Sequence, residues 1–221
     1  MKQALVIGAS GGIGGAVVAA LEARGVAVTR LSRRADGLDV TDEASVAHHL
    51  GALEGPFDLV FIATGGLMIG ADKPEKALSH ITQGAMTRQF ALNAIGPALI
   101  LAHVPRLLAR DGPAVVAALS ARVGSIGDNR IGGWHGYRAA KAALNQIIRG
   151  AAIELSRTHR QAVCVALHPG TVATDMTRPF VRPGKATPPG EAARNLLSVI
   201  DGLTPDETGR FFDYAGKPIE W

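Results

Sequence analysis

The chain has 221 residues, of which 47% are hydrophobic and 19% charged, a composition typical of one globular domain with a sizeable core. Its net charge is +4, from 23 Lys and Arg against 19 Asp and Glu. Because no basic run gathers this charge, nucleic acid is not an expected partner. The one cysteine, Cys164, lies in an apolar segment, which predicts a buried inert thiol and excludes a disulfide framework or a cysteine metal cluster.

The N-terminus begins directly with a strand-like segment and lacks the charged and then apolar leader of a secreted protein. We find no run that reaches the roughly 18 apolar residues of a membrane span. We therefore expect a cytoplasmic protein that binds no membrane.

Short apolar runs rich in β-branched residues alternate with longer helical segments along the chain. The strand candidates are residues 3–8, 26–31, 57–64, 114–120, 161–168 and an edge strand within 209–221. The helix candidates are residues 12–25, 42–53, 82–110 and 134–158, with Gly25 as the C-cap of the first. Consecutive βαβ units imply right-handed crossovers and a parallel sheet covered by helices on both faces. We predict an α/β fold, a single-domain Rossmann-type doubly wound sheet of about seven strands over residues 1–221, with its ligand crevice at the carboxyl ends of the strands.

A glycine-rich turn follows the first strand and opens the first helix, at Gly8, Gly12 and Gly14. Missing side chains there let the backbone approach a pyrophosphate, which the helix N-terminus attracts. The spacing differs from the common dinucleotide fingerprint, and tight packing alone would also use glycine. The position between a strand and a helix favours a nucleotide site.

The residues after the second strand bear on which dinucleotide binds. An acid there bonds the ribose 2′-hydroxyl of NAD, whereas an arginine can accept the 2′-phosphate of NADP. Ser32, Arg33 and Arg34 follow this strand, so we expect NADP(H) in preference to NAD(H). Asp39 and Val40 lie a little further on, where a short strand would direct them towards the adenine.

Tyr137 and Lys141 lie four residues apart in a helix-forming segment, so they share one helix face about one turn apart. A free tyrosine has a pKa of about 10, and an ammonium within about 4 to 6 Å favours the phenolate. We therefore expect Lys141 to lower the pKa of Tyr137 and to suit it for proton transfer near neutral pH. The alternative is an ordinary pair of surface residues.

Taken together, these motifs resemble the short-chain dehydrogenase/reductase family over nearly the whole chain. The glycine turn matches the family pattern except that Ile7 replaces a threonine. The other matches are DVT at 39–41, the helix asparagine Asn93, YRAAK at 137–141 and HPGTVATDM at 168–176. Residues 123–145 and the C-terminal segment resemble the C-factor-like and sniffer-like carbonyl reductase branch. The resemblance implies NADP(H)-dependent interconversion of a carbonyl and an alcohol on a small or medium molecule, by a homodimer or homotetramer.

The resemblance also implies roles for individual residues. Tyr137 would donate the proton to a carbonyl oxygen, Lys141 would bond the nicotinamide ribose, and Asn93 would hold a relay water. The implied contacts to the cofactor, besides the glycine turn and the residues after the second strand, are Ser10, Ile13, Ala63, Thr64, Gly65, Tyr137, Lys141, Pro169, Gly170, Val172 and Thr174.

Two departures from the family pattern affect this expected site. Residues 62–65 read I-A-T-G where the family has N-N-A-G, so only the glycine is kept. The family's catalytic serine precedes x-x-Gly, yet alignment on Gly124 puts Ala121 at that position. Ser120 fits the strand end and Ser125 fits the spacing from Tyr137, and either is a candidate for the missing donor.

Residues 177–191 are rich in proline, glycine and basic side chains and occupy the family's substrate-loop region. The loop is short, which predicts an open pocket, and Arg178 and Arg182 are either solvated or meet an anionic substrate. His168 is expected to be structural. Two other functions stay open: a dinucleotide-binding sensor or interaction protein with weak or no catalysis, and an epimerase or dehydratase on the same fold.

Overall fold

The computed structural model describes residues 1–182 and 184–221, and its elements follow the predicted alternation. The strands are β1 (Gln3–Ile7), β2 (Ala27–Leu31), β3 (Leu59–Ile62), β4 (Ala114–Leu119), β5 (Ala162–His168) and β6 (Phe211–Asp213). The helices are α1 (Gly12–Ala23), α2 (Arg33–Asp36), α3 (Glu43–Gly51), α4 (Gln83–Phe90), α5 (Gly96–His103), α6 (His135–Thr158) and α7 (Pro189–Gly202).

The strands form one parallel sheet in the order β2-β1-β3-β4-β5-β6. The chain winds outward in both directions from β1, so the strand order reverses between β1 and β3. In doubly wound sheets the ligand crevice lies at such a switch point, outside the carboxyl ends of the strands. The predicted fold class is therefore confirmed.

Helices cover both faces of the sheet because the central strands are buried on both sides. Leu5 and Ile7 of β1 belong to a core shared with α3, α5 and α6, whereas Ala4 and Val6 belong to a core shared with α1 and α7. This alternation of apolar residues is what a strand between two helical layers requires. The layers hold the carboxyl ends of β1, β3, β4 and β5 at one edge.

The predicted short strand at Asp39 and Val40 is absent from the part of the chain that the structure describes, and the sheet has six strands where about seven were expected. The Asp39 amide donates to Oγ of Ser45 at 3.0 Å. The Asp39 carboxylate accepts from the amide and hydroxyl of Thr41 at 2.9 and 2.7 Å. These local bonds hold a turn. They also occupy the backbone amides of Asp39 and Thr41, which a strand would use to pair with its neighbour.

The long helix predicted over residues 82–110 is present from Gln83 to Leu107, but it is not α-helical throughout. A π-helical turn, Ala91–Ile95, separates α4 from α5, and a 3₁₀ turn, Val104–Leu107, follows α5. The π turn carries Asn93, which is fully buried. Such insertions into α-helices are frequently found at functional sites.

The same helical segment, Gln83–Leu107, is long and apolar enough by length and composition to cross a membrane, with a mean hydropathy of 1.3. The expectation that the chain holds no such run was therefore wrong. However, 44% of its most apolar window is buried inside the fold, and a core helix of a soluble protein passes the same test. The expected absence of a membrane partner stays a prediction.

Cys164 confirms its expected role as a buried thiol, since it is 1% exposed in β5. Burial raises its pKa to about 12, which keeps it protonated and unreactive near neutral pH. Among the described residues no group of His, Cys, Asp or Glu could hold a metal ion.

Candidate active site

A cleft of about 1480 Å³ opens at the carboxyl edge of the sheet. Its walls come from the glycine turn, the ends of β3, β4 and β5, the first turns of α6 and the loop after β5. Fourteen of the predicted site residues line it: Ser10, Gly12, Ile13, Gly14, Arg34, Ala63, Thr64, Gly65, Ser120, Tyr137, Lys141, Pro169, Gly170 and Thr174. Eight others do not line it: Gly8, Ser32, Arg33, Asp39, Val40, Asn93, Ser125 and Val172.

The glycine turn lets the loops after β3 and β5 approach the start of α1 closely. Gly8 has φ +89°, and a Cβ there would lie 2.7 Å from the carbonyl oxygen of Ala63. A Cβ on Gly12 would lie 2.7 Å from Cγ2 of Thr174. Only glycine permits both approaches, and the N–H groups at the start of α1 are left facing the cleft, where they suit an anionic group.

The residues after β2 form the short helix α2. Ser32 is its N-cap: its hydroxyl accepts from the Ala35 amide at 3.2 Å. Asp36, which sequence reasoning missed, accepts from the Ser32 amide at 2.7 Å. Of the two arginines, Arg34 lines the cleft, whereas Arg33 does not. The carboxylate of Asp36 is therefore hydrogen-bonded to the N-cap of its own helix. The cleft wall at this point carries the cation of Arg34.

Tyr137 and Lys141 lie in the first turns of α6, and both are buried, at 7% and 3% exposure. Lys141 Nζ lies 5.8 Å from the centroid of the Tyr137 ring and donates to the carbonyl oxygen of Leu119 at 2.9 Å. The two residues therefore share one helix face inside the fold, as the spacing predicts, and they are not a surface pair.

The expected effect of Lys141 on Tyr137 is not seen in this structure, which corrects the sequence-based expectation. Burial raises the pKa of the Tyr137 phenol above its ordinary value and lowers the pKa of Lys141 to about 7. The cause in both cases is desolvation, which disfavours the charged form of each group. A lysine that is only partly charged at neutral pH offers little attraction to a phenolate.

Asn93 lies behind the cleft wall and holds the loop after β3. Its Oδ1 accepts from the amide of Gly66 at 3.0 Å, and its Nδ2 donates to the Gly66 carbonyl at 2.9 Å and to Gln89 Oε1 at 2.8 Å. A Cβ on Gly65 would lie 2.8 Å from Asn93 Oδ1 and 3.2 Å from Lys141 Nζ. Asn93 is therefore next to Lys141, with its amide committed to the backbone of the loop.

Ala121 lines the cleft at the position where the family has its serine. Ser120 also lines the cleft, but its hydroxyl donates to Oδ1 of Asn145 at 2.6 Å. Ser125 is 2% exposed, does not line the cleft, and accepts from the Asp128 amide at 3.1 Å. Sequence reasoning missed Asn145, although its position eight residues after Tyr137 puts it on the same face of α6.

Among the described residues, two buried polar atoms of the cleft wall have no hydrogen-bond partner: Oγ1 of Thr64 and Nδ1 of His168. An unpaired buried polar atom costs free energy, and an ordered water or a bound ligand can supply its partner. Burial, then the charge of Arg122, lowers the pKa of His168 to about 4, so its imidazole is neutral. Together with the glycine cradle, these atoms fit a polar ligand such as a dinucleotide.

The loop after β5 covers one side of the cleft. Its expected range, 177–191, includes Pro183, which lies outside the described residues. The Ala173 amide donates to the carbonyl of Thr187, and the Thr187 amide donates to the carbonyl of Thr171, each at 2.9 Å. These bonds hold the two ends of the loop together. Phe180 packs edge-on against Trp134, with ring centroids 5.9 Å apart. Neither aromatic residue was identified from the sequence, and their contact joins the loop to the start of α6.

The fold and cleft define an α/β protein of the doubly wound class with a dinucleotide-type crevice. A family model described as enoyl-(acyl carrier protein) reductase matches residues 8–193. The 1-hydroxy-2-glutathionyl-2-methyl-3-butene dehydrogenase of a Rhodococcus species is 33% identical over 100% of both chains. The C-signal protein of Myxococcus xanthus is 38% identical over 66% of this chain and 84% of its own.

Solved structures show the same architecture. An NADPH-bound carbonyl reductase from chicken fatty liver has a TM-score of 0.82 and 25% identity, over 100% of this chain and 99% of its own. The carbonyl reductase Sniffer of D. melanogaster also has a TM-score of 0.82, over 100% of both chains, and at 19% identity this likeness shows a shared fold alone. The protein belongs to the short-chain dehydrogenase/reductase family, as its motifs predict.

Proposed function

We propose that the protein is an NADP(H)-dependent oxidoreductase that interconverts a carbonyl and an alcohol on a small or medium molecule. One observation carries the proposal: Tyr137 and Lys141 lie on one face of α6, in the wall of the same cleft that the glycine turn opens. A phenol and an amine buried beside a nucleotide cradle suit proton transfer coupled to hydride transfer. Residues 1–221 would act as one nucleotide-binding domain.

Related proteins support the choice of cofactor and reaction. NADPH is bound to the chicken carbonyl reductase, and NADP or NADPH to two further structures of the same fold. The Rhodococcus relative is named a dehydrogenase. In this chain Arg34 would meet the 2′-phosphate of NADP(H), and Gly12, Thr64 and Thr174 would contact the rest of the cofactor.

The proposed mechanism assigns each polar group in the cleft a task. When bound, NADPH supplies the hydride. Tyr137 would donate its proton to the carbonyl oxygen, and its raised pKa keeps that proton in place at neutral pH. Lys141 would bond the nicotinamide ribose, and Asn93 would fix the loop beside it. Ser120 lines the cleft and Ser125 does not, so Ser120 would be the second donor to the oxygen, on exchanging its bond to Asn145 Oδ1 for one to the substrate.

Ala121 favours a second candidate, a dinucleotide-binding sensor or interaction protein with weak or no catalysis. Donors aimed at a developing oxyanion commonly contribute about 3 to 4 kcal/mol each, so a methyl group in place of one would slow the reaction. Assembly as a homodimer or homotetramer and a cytoplasmic location stay predictions.

A panel of aldehydes and ketones, assayed for NADPH oxidation, tests the proposal. We expect turnover of at least one carbonyl compound, with NADPH consumed and alcohol formed in equal amounts. Tight NADPH binding without turnover of any compound would favour the sensor. Conversion of substrate without net NADPH oxidation would indicate an epimerase or dehydratase.

A further inference from the structure

The half of the cleft near the start of α6 is lined by an excess of basic side chains. The cations in its wall are Lys73, Lys76, Arg122, Arg130, Arg138 and Arg178. The acids in the same wall are Asp128 and Asp175. An excess of cations over acids on an exposed wall does not by itself indicate a ligand. It does so only where the cations are not already paired with acids of the protein.

Two of the arginines are paired. Arg122 contacts Asp128 at 3.1 Å and Asp213 at 3.2 Å. Arg178 contacts Asp175 at 2.6 Å. Both acids of the cleft wall are therefore already in ion pairs.

The other four cations, Lys73, Lys76, Arg130 and Arg138, have no carboxylate oxygen within 4.0 Å among the described residues. We call these four residues the basic mouth. Arg138 donates only to backbone carbonyls, for example to that of Gly133 at 2.9 Å. Carbonyl acceptors fix the guanidinium but leave its charge uncompensated, so the basic mouth presents a net positive field to the cleft.

A buried glutamate holds the loop of the two lysines in place. Glu75 is 5% exposed, and its Oε2 accepts from the Gly136 amide at 3.2 Å, at the start of α6. Its carbonyl oxygen accepts from the Trp134 amide at 2.6 Å. A Cβ on Gly136 would lie 2.8 Å from Glu75 Oε1, so the carboxylate packs closely against the helix backbone there. The carboxylate also suits the positive end of the helix dipole.

This anchor fixes where the basic mouth lies along the cleft. Glu75 bonds the residue directly before Tyr137, and Lys73 and Lys76 flank Glu75 in the chain. Arg34 stands after β2, at the far edge of the sheet from α6. The basic mouth is therefore beside the proton donor and away from the cation that would meet the phosphate of the adenosine half.

We propose that the substrate carries an anionic group, a carboxylate or a phosphate, that binds in the basic mouth while its carbonyl faces Tyr137. This inference rests on the proposed function of the cleft. An oxyanion there would gain charge-assisted hydrogen bonds from Lys73, Lys76 and Arg138 and would relieve the repulsion among them. The field would also draw such a substrate into the cleft.

The test compares para-formylbenzoate with its methyl ester, which share one aldehyde and differ in one charge. We expect kcat/KM to favour the anion by about tenfold or more, chiefly through KM, and the preference to shrink as NaCl is raised. Lys73→Ala combined with Lys76→Ala should reduce the preference by about tenfold. Lys217→Ala, which removes an exposed cation outside the cleft, is the matched control and should retain it.

The outcomes separate this inference from the proposed function. Turnover of the ester as fast as the anion, or an unchanged preference in the double variant, would overturn the anionic substrate alone. Failure to oxidise NADPH with either aldehyde would count against the proposed function. In that case calorimetric titration of the NADPH-loaded protein with both compounds decides the inference: tighter binding of the anion supports it, and equal binding overturns it.

Discussion

Ser120 donates its hydroxyl proton to Oδ1 of Asn145 across 2.6 Å, between two residues that are each at most 4% exposed. The bond ties the carboxyl end of β4 to α6, on the helix face that also carries Lys141. Asn145 Nδ2 in turn donates to the carbonyl of Gly124 at 3.4 Å. The serine that follows β4 therefore holds α6 against the sheet as well as lining the cleft.

Ser120→Ala should lower the free energy of unfolding by about 1 to 3 kcal/mol, because it leaves Oδ1 of Asn145 buried without a donor. Urea denaturation of the apoprotein measures this change. The control is Ser156→Ala, which changes an exposed serine of α6 and should alter stability little. If Ser120→Ala is as stable as the wild type, water or another donor satisfies Asn145 and the brace is not needed.

Ala121→Ser should raise kcat by about tenfold or more, because a hydroxyl there would face the cleft where negative charge develops on the carbonyl oxygen. Steady-state rates with the best carbonyl substrate provide the measurement. Ser125→Ala should keep the wild-type rate, since Ser125 lies outside the cleft wall. An unchanged rate in Ala121→Ser would mean that another group already supplies the second hydrogen bond.

The cofactor preference should depend on Arg34. We expect NADPH to bind at least about tenfold more tightly than NADH, a difference of about 1.4 kcal/mol that one charge-assisted phosphate contact can supply. Arg34→Ala should weaken NADPH and spare NADH. Arg33→Ala should have the smaller effect, because Arg33 lies outside the cleft wall. Calorimetry of the three proteins with both cofactors gives the six affinities, and equal binding of NADPH and NADH to the wild type would refute the assignment.

The buried amine of Lys141 should make the stability of the apoprotein depend on pH. Burial lowers its pKa from 10.5 to about 7, so between these values the unfolded chain binds more protons and stability rises with pH. From pH 7.5 to pH 9 the gain should be about 2 kcal/mol, at about 1.36 kcal/mol per unit. Lys141→Met should remove that gain in denaturant midpoints at the two pH values. The same pH dependence in both proteins would mean that Lys141 is hydrated.

Much of the fold followed from local patterns in the sequence. The strands were predictable because each is an apolar run between helical segments, and parallel pairing followed from their alternation. The missing strand at Asp39 was not predictable, because the hydroxyls of Thr41 and Ser45 bond its turn and the apolar pattern does not report such competition.

The candidate site was predictable where residue types carry the chemistry, as in the glycine turn and the Tyr137–Lys141 pair. The burial of this pair was not predictable, because the same spacing fits a surface pair. Only the packing of the fold shows that desolvation shifts the pKa of both side chains. The role of Glu75 could not be predicted either, because its partner Gly136 is 61 residues away in the chain. Contacts of that kind depend on topology and leave no local signal.

The most direct test of the central claim follows one atom from cofactor to product. The protein is given NADPH that carries deuterium at the transferable position, with a carbonyl substrate, and the alcohol is analysed by mass spectrometry. We predict one deuterium on the carbinol carbon with the wild type, and no labelled alcohol with Tyr137→Phe, which keeps the ring and loses the proton donor. Unlabelled alcohol from the wild type, or equal labelling by Tyr137→Phe, would contradict the account.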